Sequence, residues 1–190
     1  TFNFPYNGTF YWNYRASDRA SNYAFNNTNF TITYDAVPPS NVSFTSPTPG
    51  DNSNLSQSNI PVNVTATDAL LSISAIRIYL FNSSSLVNNT NTTNSALLNF
   101  TGLADGTYTI NTTANDTVGN QNLTGSTRTI TLDTTASIVN LSAPPNNTII
   151  TLPSQTFNAS FTDNIGLTNA TFYIWNSSSS LNYTTTVTIT

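Results

Sequence analysis

Five residue types are missing from this chain: cysteine, histidine, lysine, glutamate and methionine. Without cysteine or histidine it cannot build the usual zinc sites, a cysteine nucleophile or a Ser-His triad. Without lysine it cannot form a Schiff base, a Ser-Lys pair or a Lys–Asn cross-link. A glycosidase would need two carboxylates about 5–10 Å apart, and only aspartate could supply them. We therefore expect no enzymatic activity and no catalytic residues.

Charge is also scarce, with four arginines and eight aspartates giving a net charge of −4. Nucleic-acid binding relies on cationic side chains that displace counterions, so this composition argues against such a partner. No apolar run approaches the roughly 20 residues of a membrane-spanning helix. No basic and apolar leader opens the sequence, so we expect any signal or anchor to lie outside this segment.

Asparagine, serine and threonine are abundant instead, with 30, 23 and 35 residues. They form nineteen N-x-Ser/Thr sequons, where composition alone would produce about nine. The candidate glycosylation sites are Asn7, Asn26, Asn29, Asn41, Asn54, Asn63, Asn82, Asn88, Asn91, Asn99, Asn111, Asn115, Asn122, Asn140, Asn146, Asn158, Asn169, Asn176 and Asn182. The alternative is incidental sequons in an Asn/Thr-rich chain, but the excess favours a densely N-glycosylated extracellular or cell-surface protein.

Both ends of the chain are copies of parts of its middle. Residues 1–35 match residues 98–133, with the pairs Gly8 and Gly106, Phe10 and Tyr108, Ala16 and Ala114, Asp18 and Asp116, Asn22 and Asn120, Ile32 and Ile130, and Asp35 and Asp133. In the tail, residues 157–163 repeat 62–68, and residues 172–178 repeat 78–84. A repeat of about 95 residues predicts an array of small domains. We expect a complete domain over 38–135 and the N-terminal half of another over 136–190. Residues 1–37 form a C-terminal half and complete the 136–190 segment of the preceding copy.

Apolar and polar residues alternate in the periodic segments, which is typical of strands with one buried face. In residues 60–67, Val62 and Val64 share one face and the sequon residue Asn63 lies on the other. The predicted strands cover 41–46, 60–67, 74–81, 96–101, 106–114 and 127–132, with a further short strand near 86–90. No helical periodicity is present, so we expect an all-β fold of antiparallel sandwiches.

Two parts of the chain resemble known modules. Residues 103–114 (LADGTYTINTTA) resemble the tyrosine corner leading into strand F of immunoglobulin and fibronectin type III domains, with Tyr108 as the corner residue. Phe10 replaces it in the copy and has no hydroxyl. Residues 113–120 (TANDTVGN) and 127–136 (TRTITLDTTA) resemble the ends of tandem Ig-like repeats, fibronectin-III-like or cadherin-like, in archaeal surface proteins and extracellular filaments. The resemblance implies tandem immunoglobulin-like sandwiches outside the cell, stacked into stalks, sheaths, filaments or adhesins.

Six of the eight aspartates recur in the repeat: Asp18 with Asp116, Asp35 with Asp133, and Asp68 with Asp163. A residue that recurs once per domain more often serves the fold, so we expect Asp18 and Asp116 to accept hydrogen bonds from turn amides. The alternative is Ca²⁺ at a domain junction, with Asp116, Asn115, Asn120 and Asp133 as one set and Asp18, Asn22 and Asp35 as the other. Calcium takes six to eight oxygens, and two aspartates per junction make a poor site, so no cofactor is expected.

The aromatic residues fall into two groups. Phe10, Trp12 and Tyr14 alternate on one face and are predicted to be core. Tyr79 and Phe81, and their counterparts Tyr173 and Trp175, fall on the outward phase and are the candidate interface residues. They could pack on a neighbouring domain, stack on the protein's own glycans, bind external sugar, or be ordinary half-covered residues.

These features predict a structural segment of a glycosylated extracellular filament or surface array, assembled head to tail. Its partners would be copies of itself or adjoining repeats, together with covalent glycans. Either one long polypeptide runs through many repeats, or separate subunits complete one another by strand addition. An isolated chain would expose half-formed sandwiches and is expected to be unstable. The alternatives are a glycan-binding adhesin stalk, and a stalk that carries an enzyme elsewhere in the same polypeptide.

Overall fold

A computed structural model describes residues 1–93 and 97–189. All regular secondary structure in those residues is β, so the all-β prediction is confirmed. The seventeen strands are β1 (Gly8–Trp12), β2 (Arg15–Ser17), β3 (Tyr23–Phe25), β4 (Phe30–Tyr34), β5 (Ser40–Thr45), β6 (Ser53–Leu55), β7 (Ile60–Thr67), β8 (Ile73–Phe81), β9 (Leu86–Thr92), β10 (Leu98–Phe100), β11 (Gly106–Asp116), β12 (Gln121–Asn122), β13 (Thr127–Leu132), β14 (Ile138–Ala143), β15 (Asn158–Thr162), β16 (Asn169–Trp175) and β17 (Leu181–Thr188). The described part of the chain contains no helix that could span a membrane.

The central part of the chain forms two sheets around one core. One sheet has the strand order β10-β7-β5, and the other has the order β6-β13-β11-β8-β9, with β12 attached to β11. Neighbouring strands are antiparallel except β6 and β13, which run parallel. Strands of both sheets contribute to a single apolar cluster, so the arrangement is a β-sandwich.

The core follows directly from the alternation in the sequence. Along β8, Ile76, Ile78 and Leu80 are at most 1 % exposed, while Arg77 between them is exposed. The buried apolar side chains are Val42, Phe44, Ile60, Val62, Val64, Ile76, Ile78, Leu80, Phe100, Tyr108, Ile110, Ala114, Ile130 and Leu132. Each large side chain buried in this way stabilises the fold by about 1.5–3 kcal/mol.

Most strand boundaries agree with the sequence prediction, and the differences have identifiable causes. Strands β7 and β13 match their predicted bounds. Strand β10 covers Leu98–Phe100 where 96–101 is predicted, and Ala96 of that prediction lies outside the described residues. Strands β6 and β12 are only three and two residues long and carry no alternation, so only their pairing with β13 and β11 makes them strands.

The N-terminal segment repeats part of the central ladder. Strand β1 pairs with β4 so that Gly8 faces Tyr34 and Phe10 faces Ile32. Strand β11 pairs with β13 in the same register, in which Gly106 faces Leu132 and Tyr108 faces Ile130. The β2–β3 pair likewise has the register of β11 and β12. Two segments that match in sequence therefore also match in strand pairing.

The C-terminal segment repeats the other part of the ladder. Strand β14 pairs with β15 so that Leu141 faces Ala159, as Phe44 faces Val64 in the β5–β7 pair. Strand β16 pairs with β17, and their register shifts between Ile174 and Trp175. The equivalent β8–β9 pair has its shift at the matching position, between Leu80 and Phe81.

The two end segments differ from the central sandwich in burial. Trp12 is 45 % exposed, while Ile110 at the equivalent position is fully buried. Leu141 is 84 % exposed, whereas its equivalent Phe44 is 9 % exposed. The prediction that Phe10, Trp12 and Tyr14 are core is therefore wrong for this chain by itself, since Phe10 is only half-buried and Tyr14 is exposed. The reason is that no second sheet covers β1 and β4 within the described residues.

Candidate functional site

Tyr108 forms the predicted tyrosine corner. It is 6 % exposed, and its hydroxyl donates a hydrogen bond of 3.0 Å to the backbone carbonyl of Ala104. The packed ring holds the start of β11 in the core. The hydroxyl joins the start of β11 to the loop that precedes it. Phe10 occupies the matching place in the N-terminal segment, where only packing is available.

Asp116 closes the turn after β11, as predicted. Its Oδ1 accepts hydrogen bonds from the backbone amides of Val118, Gly119 and Asn120, at 2.7–2.9 Å. Its Oδ2 accepts one from the Asn120 side-chain amide at 2.7 Å. Burial raises the pKa of Asp116, but the hydrogen bonds led by the Asn120 side chain outweigh that effect, and the pKa is lowered.

Asp18 repeats this arrangement in the N-terminal segment. Its Oδ1 accepts from the amides of Ala20 and Asn22, and its Oδ2 accepts from the Asn22 side chain at 2.9 Å. The Asn22 side chain is the main reason that the pKa of Asp18 lies below its usual value. The expectation that both aspartates bind turn amides is confirmed.

Three aspartates from separate segments converge at the first junction, where the linker of residues 35–39 joins the N-terminal segment to the central sandwich. Asp35 follows β4, Asp68 follows β7, and Asp116 ends β11. One carboxylate oxygen from each lies within 4.8 Å of the others. Asp116 is 1 % exposed, and the other two are half-buried. The cluster thus sits where the N-terminal segment meets the central sandwich.

The alternative Ca²⁺ sets would have needed Asp116 to lie near Asp133 and Asp18 to lie near Asp35, and the structure brings neither pair together. Asp116 cannot meet Asp133, because the antiparallel β11–β13 ladder places them at opposite ends. Asp18 and Asp35 are separated in the same way, since Asp35 follows the end of β4 that faces Gly8. The recurrence of Asp68 in the repeat is a signal in the sequence for the observed cluster, but the position of Asp68 relative to Asp35 and Asp116 depends on the sheet order.

Two carboxylate oxygens of this cluster are buried without a donor. Asp35 Oδ1 accepts from the Val37 amide at 3.0 Å, and Asp68 Oδ1 accepts from the amides of Leu70 and Leu71. The Oδ2 atoms of Asp35 and Asp68 are sealed from solvent and receive no hydrogen bond within the described ranges. An ionised oxygen without a partner is costly in such a place.

Asp105 anchors the second junction, where the linker of residues 133–137 joins the central sandwich to the C-terminal segment, and this role is absent from the sequence prediction. Its carboxylate accepts from the Thr134 amide and hydroxyl at 2.8 Å, the Thr135 hydroxyl at 2.6 Å, and the Asn164 side chain at 2.8 Å. These bonds, with that of Thr135 the strongest influence, hold the pKa of Asp105 well below its usual range. No local sequence pattern indicates this role, because the partners of Asp105 lie 29 to 59 residues away along the chain.

Asn7 plays the equivalent part at the first junction. Its Oδ1 accepts a 2.8 Å hydrogen bond from the Ala36 amide, as Asp105 does from Thr134. On the other side of the same linker, Asn122 Nδ2 donates to the Pro39 carbonyl at 2.8 Å. Both linkers are therefore bound to the units that flank them.

The nineteen sequon asparagines are all at least partly accessible. Fifteen are exposed, and the half-buried ones are Asn63, Asn111, Asn115 and Asn122. An N-linked glycan is joined to Nδ2, which already donates a hydrogen bond in four sequons: Asn26 to Thr28, Asn41 to Thr67, Asn63 to Ser46 and Asn122 to Pro39. Glycosylation itself stays a prediction, and the structure ranks the sites by the availability of this atom.

The candidate interface residues form two equivalent stacked pairs on sheet faces. The rings of Tyr79 and Phe81 are 6.4 Å apart and half-buried. Those of Tyr173 and Trp175 are 5.2 Å apart, with exposures of 46 % and 56 %. Tyr79 pairs across the sheet with the sequon residue Asn111, next to a groove of about 380 Å³. Contact with glycans or with a neighbouring unit stays a prediction for both pairs.

The C-terminal segment carries an open apolar groove of about 1020 Å³. Its apolar lining includes Leu141, Ala143, Phe157, Ala159, Phe161, Phe172 and Tyr183. Phe157 and Phe172 contact each other at 5.0 Å between ring centroids. The groove is lined by side chains of β14, β15, β16 and β17 and of the loop after β14.

The central sandwich is similar to a known family of domains. Residues 39–111 match the family model described as "Bacterial Ig domain". An engineered protein solved by crystallography is similar, with a TM-score of 0.38 and 15 % identity, over 50 % of this chain and 20 % of that one. The chain thus spans about a fifth of that structure's length. No curated protein matches. The fold is of the all-β Ig-like class, which is typically non-enzymatic and common in surface-associated proteins.

Proposed function

We propose that this chain of Ig-like sandwiches is a structural segment of an N-glycosylated extracellular filament or cell-surface array. Within it, residues 38–135 are a complete domain, and each half-domain at the ends is completed by a neighbouring unit. Residues 1–37 of one unit supply the strands that cover residues 136–190 of the preceding unit. The assembly is head to tail.

The observation that carries this proposal is the match between the two open segments and the closed sandwich. The β1–β4 pair has the register of β11 and β13, and the β14–β15 and β16–β17 pairs repeat those of the other central strands. Added together, the two segments contain the main strand pairs of one sandwich. In the central unit those same pairs bury a continuous core.

The exposed surfaces are also complementary in chemistry. The C-terminal groove is lined by apolar and aromatic side chains. The N-terminal segment exposes Trp12, Phe30 and Ile32 by 45 %, 54 % and 43 %. Covering large apolar side chains contributes about 1.5–3 kcal/mol each, so completion is strongly favoured over leaving both faces in water. A heterologous contact of this kind that does not close into a ring continues as a fibre.

The completion has the same form whether units are covalently continuous or separate. A denaturing gel of the deglycosylated native material distinguishes the two, since a separate unit migrates near 20.5 kDa. A continuous polypeptide migrates at a multiple of that mass.

Assembly is tested with two substitutions on neighbouring residues of β15. Ala159→Arg places a charge in the apolar groove, whereas Ser160→Arg lies on the opposite face of the same strand. We expect the 190-residue chain and its Ser160→Arg variant to associate in analytical ultracentrifugation and to form fibres in electron micrographs, and Ala159→Arg to remain monomeric. A wild-type chain that stays monomeric at every concentration would contradict the proposal.

The second candidate function is glycan recognition, as in an adhesin stalk. It is favoured by the stacked Tyr173–Trp175 pair, because exposed aromatic faces bind sugar rings. A glycan array or an NMR titration with candidate sugars tests it. Binding that is lost on Trp175→Ala and retained on the nearby Leu181→Ala would support recognition at this pair.

A further inference from the structure

We propose that the outer face of the central sandwich binds the sugar chain carried on its own Asn111. Tyr79 and Phe81 would be the surface on which the first sugar ring lies, and the ligand is a pyranose joined covalently to Asn111 Nδ2. This inference rests on the N-glycosylation in the proposed function. It deepens that proposal by naming the site that holds its glycan against the protein.

The strand registers place Asn111 directly beside the aromatic pair. Asn111 lies in β11, and the residue opposite it in the neighbouring strand β8 is Tyr79. Side chains that face each other in an antiparallel pair have Cβ atoms about 4.5–5.5 Å apart, and Phe81 follows two residues later on the same face. Among the strand pairs of the described residues, Asn111 is the one sequon asparagine directly opposite an aromatic side chain.

The side-chain amide of Asn111 is held with its nitrogen free. The hydroxyl of Thr127 in β13, on the other side of β11, donates a hydrogen bond of 3.0 Å to Asn111 Oδ1. Because the two atoms of a planar amide point in different directions, Nδ2 is directed away from β13. Within the described residues Nδ2 makes no hydrogen bond. A glycan bond to Nδ2 leaves Oδ1 as an acceptor, so the contact with Thr127 is retained.

An open groove of about 380 Å³ lies beside these rings. Its lining includes Tyr79, Phe81 and Asn111, together with Leu123 and Gly125 of the loop before β13. The volume falls within the range of about 300–1,000 Å³ that is typical of small-ligand sites. Leu123 is 69 % exposed, and both aromatic rings are half-buried. The groove therefore offers uncovered apolar surface next to a free sequon nitrogen.

The chemistry of the two surfaces matches. A pyranose presents a face of C–H groups, and the face of an aromatic ring carries the negative part of its quadrupole. The rings of Tyr79 and Phe81 are stacked at 6.4 Å between centroids, so they extend the aromatic surface along the strand. The sugar is attached covalently, so its local concentration is high and even a weak contact is populated.

The repeat shows that this arrangement is particular to the central sandwich. The equivalent of Asn111 is Asn13, which lies outside any sequon because Arg15 occupies the Ser/Thr position. Asn13 Nδ2 donates to the carbonyl of Asn26 and to Oδ1 of Asn29, so it has a structural role instead. We therefore expect one such stacked glycan per chain.

The test uses the 190-residue chain secreted from a glycosylating host and trimmed with an endoglycosidase to one N-acetylglucosamine per occupied site. Glycopeptide mass spectrometry should find Asn111 occupied. In NMR spectra, the ring protons of the sugar on Asn111 should lie upfield of those of the sugar on Asn91, because they lie over aromatic faces. Asn91 is the reference site, since it is exposed and pairs with Arg77 on the same sheet face.

Substitution of the rings gives the second measurement. Tyr79→Ala should move the proton shifts of the Asn111 sugar toward those of the Asn91 sugar. Phe81→Ala is the second variant, in case one of them fails to fold by circular dichroism. The matched control is Tyr173→Ala, which removes an equivalent ring from the C-terminal segment and should leave the shifts unchanged. Sugar shifts that are the same at Asn111 and Asn91 in the wild type overturn the inference, as do shifts that neither variant of the pair alters.

Site occupancy separates this inference from the proposed function. A bare Asn111 beside occupied Asn82 and Asn91 contradicts the aromatic site and leaves the glycoprotein proposal intact. Native material without sugar at any sequon contradicts N-glycosylation itself. Ala159→Arg, expected to stay monomeric, should show the same Asn111 sugar shifts as the wild type, because the whole site lies within the central sandwich. Shifts that appear only on assembly would contradict a site within one chain.

Discussion

The side-chain amide of Asn120 donates a 3.3 Å hydrogen bond to the backbone carbonyl of Asp35 and also binds the carboxylate of Asp116 at 2.7 Å. The turn after β11 is thereby attached to the end of the preceding segment. The turn that closes the ladder of the central sandwich therefore also holds the residue that follows β4.

The tyrosine corner should make a measurable contribution to the stability of the central sandwich. We expect Tyr108→Phe to lower the free energy of unfolding of the central sandwich by about 0.5–1.5 kcal/mol, because it loses only the bond to Ala104. Urea denaturation followed by circular dichroism measures the change. The control is Tyr79→Phe on the outer face, which should have little effect. Equal losses in both variants would contradict a specific role for the corner.

Equivalent repeat positions should respond differently to truncation. Ile110→Ala removes a fully buried side chain and should cost about 2–5 kcal/mol. Trp12→Ala, at the matching position, should change the stability of the monomer by less than about 1 kcal/mol, because Trp12 is 45 % exposed on a sheet face that no second sheet covers among the described residues. The same variant should weaken self-association in sedimentation experiments. A large monomer effect at Trp12 would show that the N-terminal face is already covered.

Gly125 lies so close to the backbone of Thr112 that a side chain has no room. A Cβ at this position would lie 2.2 Å from the Thr112 carbonyl oxygen. We expect Gly125→Ala to destabilise the central sandwich by about 1–3 kcal/mol or more, since backbone must move to admit the methyl group. Gly166→Ala is the control, because no heavy atom lies within 4 Å of its added Cβ. Thermal unfolding of both variants gives the comparison.

The hydrogen bonds between Asp105 and the second linker should be lost at acid pH. The pKa of Asp105 is lowered in the folded protein, so its contribution is present above the unfolded value of about 3.9 and is lost as pH falls through the lower folded pKa. The Thr134 amide proton, followed by NMR, should therefore titrate well below pH 3.9. Asp105→Asn should abolish this titration, and Asp51→Asn should retain it. A titration midpoint near the ordinary carboxyl pKa of about 3.9 would contradict the role of Asp105 in holding this linker.

Glycan occupancy should follow the availability of Nδ2. Asn82 and Asn176 are exposed, and their Oδ1 atoms accept turn amides, which leaves Nδ2 directed away from those bonds. Asn122 is half-buried and uses Nδ2 to hold Pro39. Glycopeptide mass spectrometry of native material should find the first two modified and Asn122 bare. Full occupancy at Asn122 would require the linker contact to be absent.

The local sequence was sufficient for the strands and their faces. Alternation in residues 60–67 and 127–132 predicted β7 and β13 to the residue, and it placed Val62 and Val64 together on the face that is buried. The outward sequons and the Asp116 turn followed from the same short-range patterns. These features depend on residues two to four positions apart along the chain. They are therefore visible in the sequence as a period of two or as a turn residue.

Only the tertiary structure decided the convergence of Asp35, Asp68 and Asp116. It also decided which residues bind the Asp105 carboxylate, and that β6 and β12 are strands. Each depends on which strand lies beside which and on where antiparallel pairing places the ends. Sequence spacing suggested Asp133 as a partner of Asp116, but the ladder puts the full length of β11 between them. The amino-acid order determined the alternation and the repeat, while long-range pairing, which no local pattern encodes, brought the junction residues together.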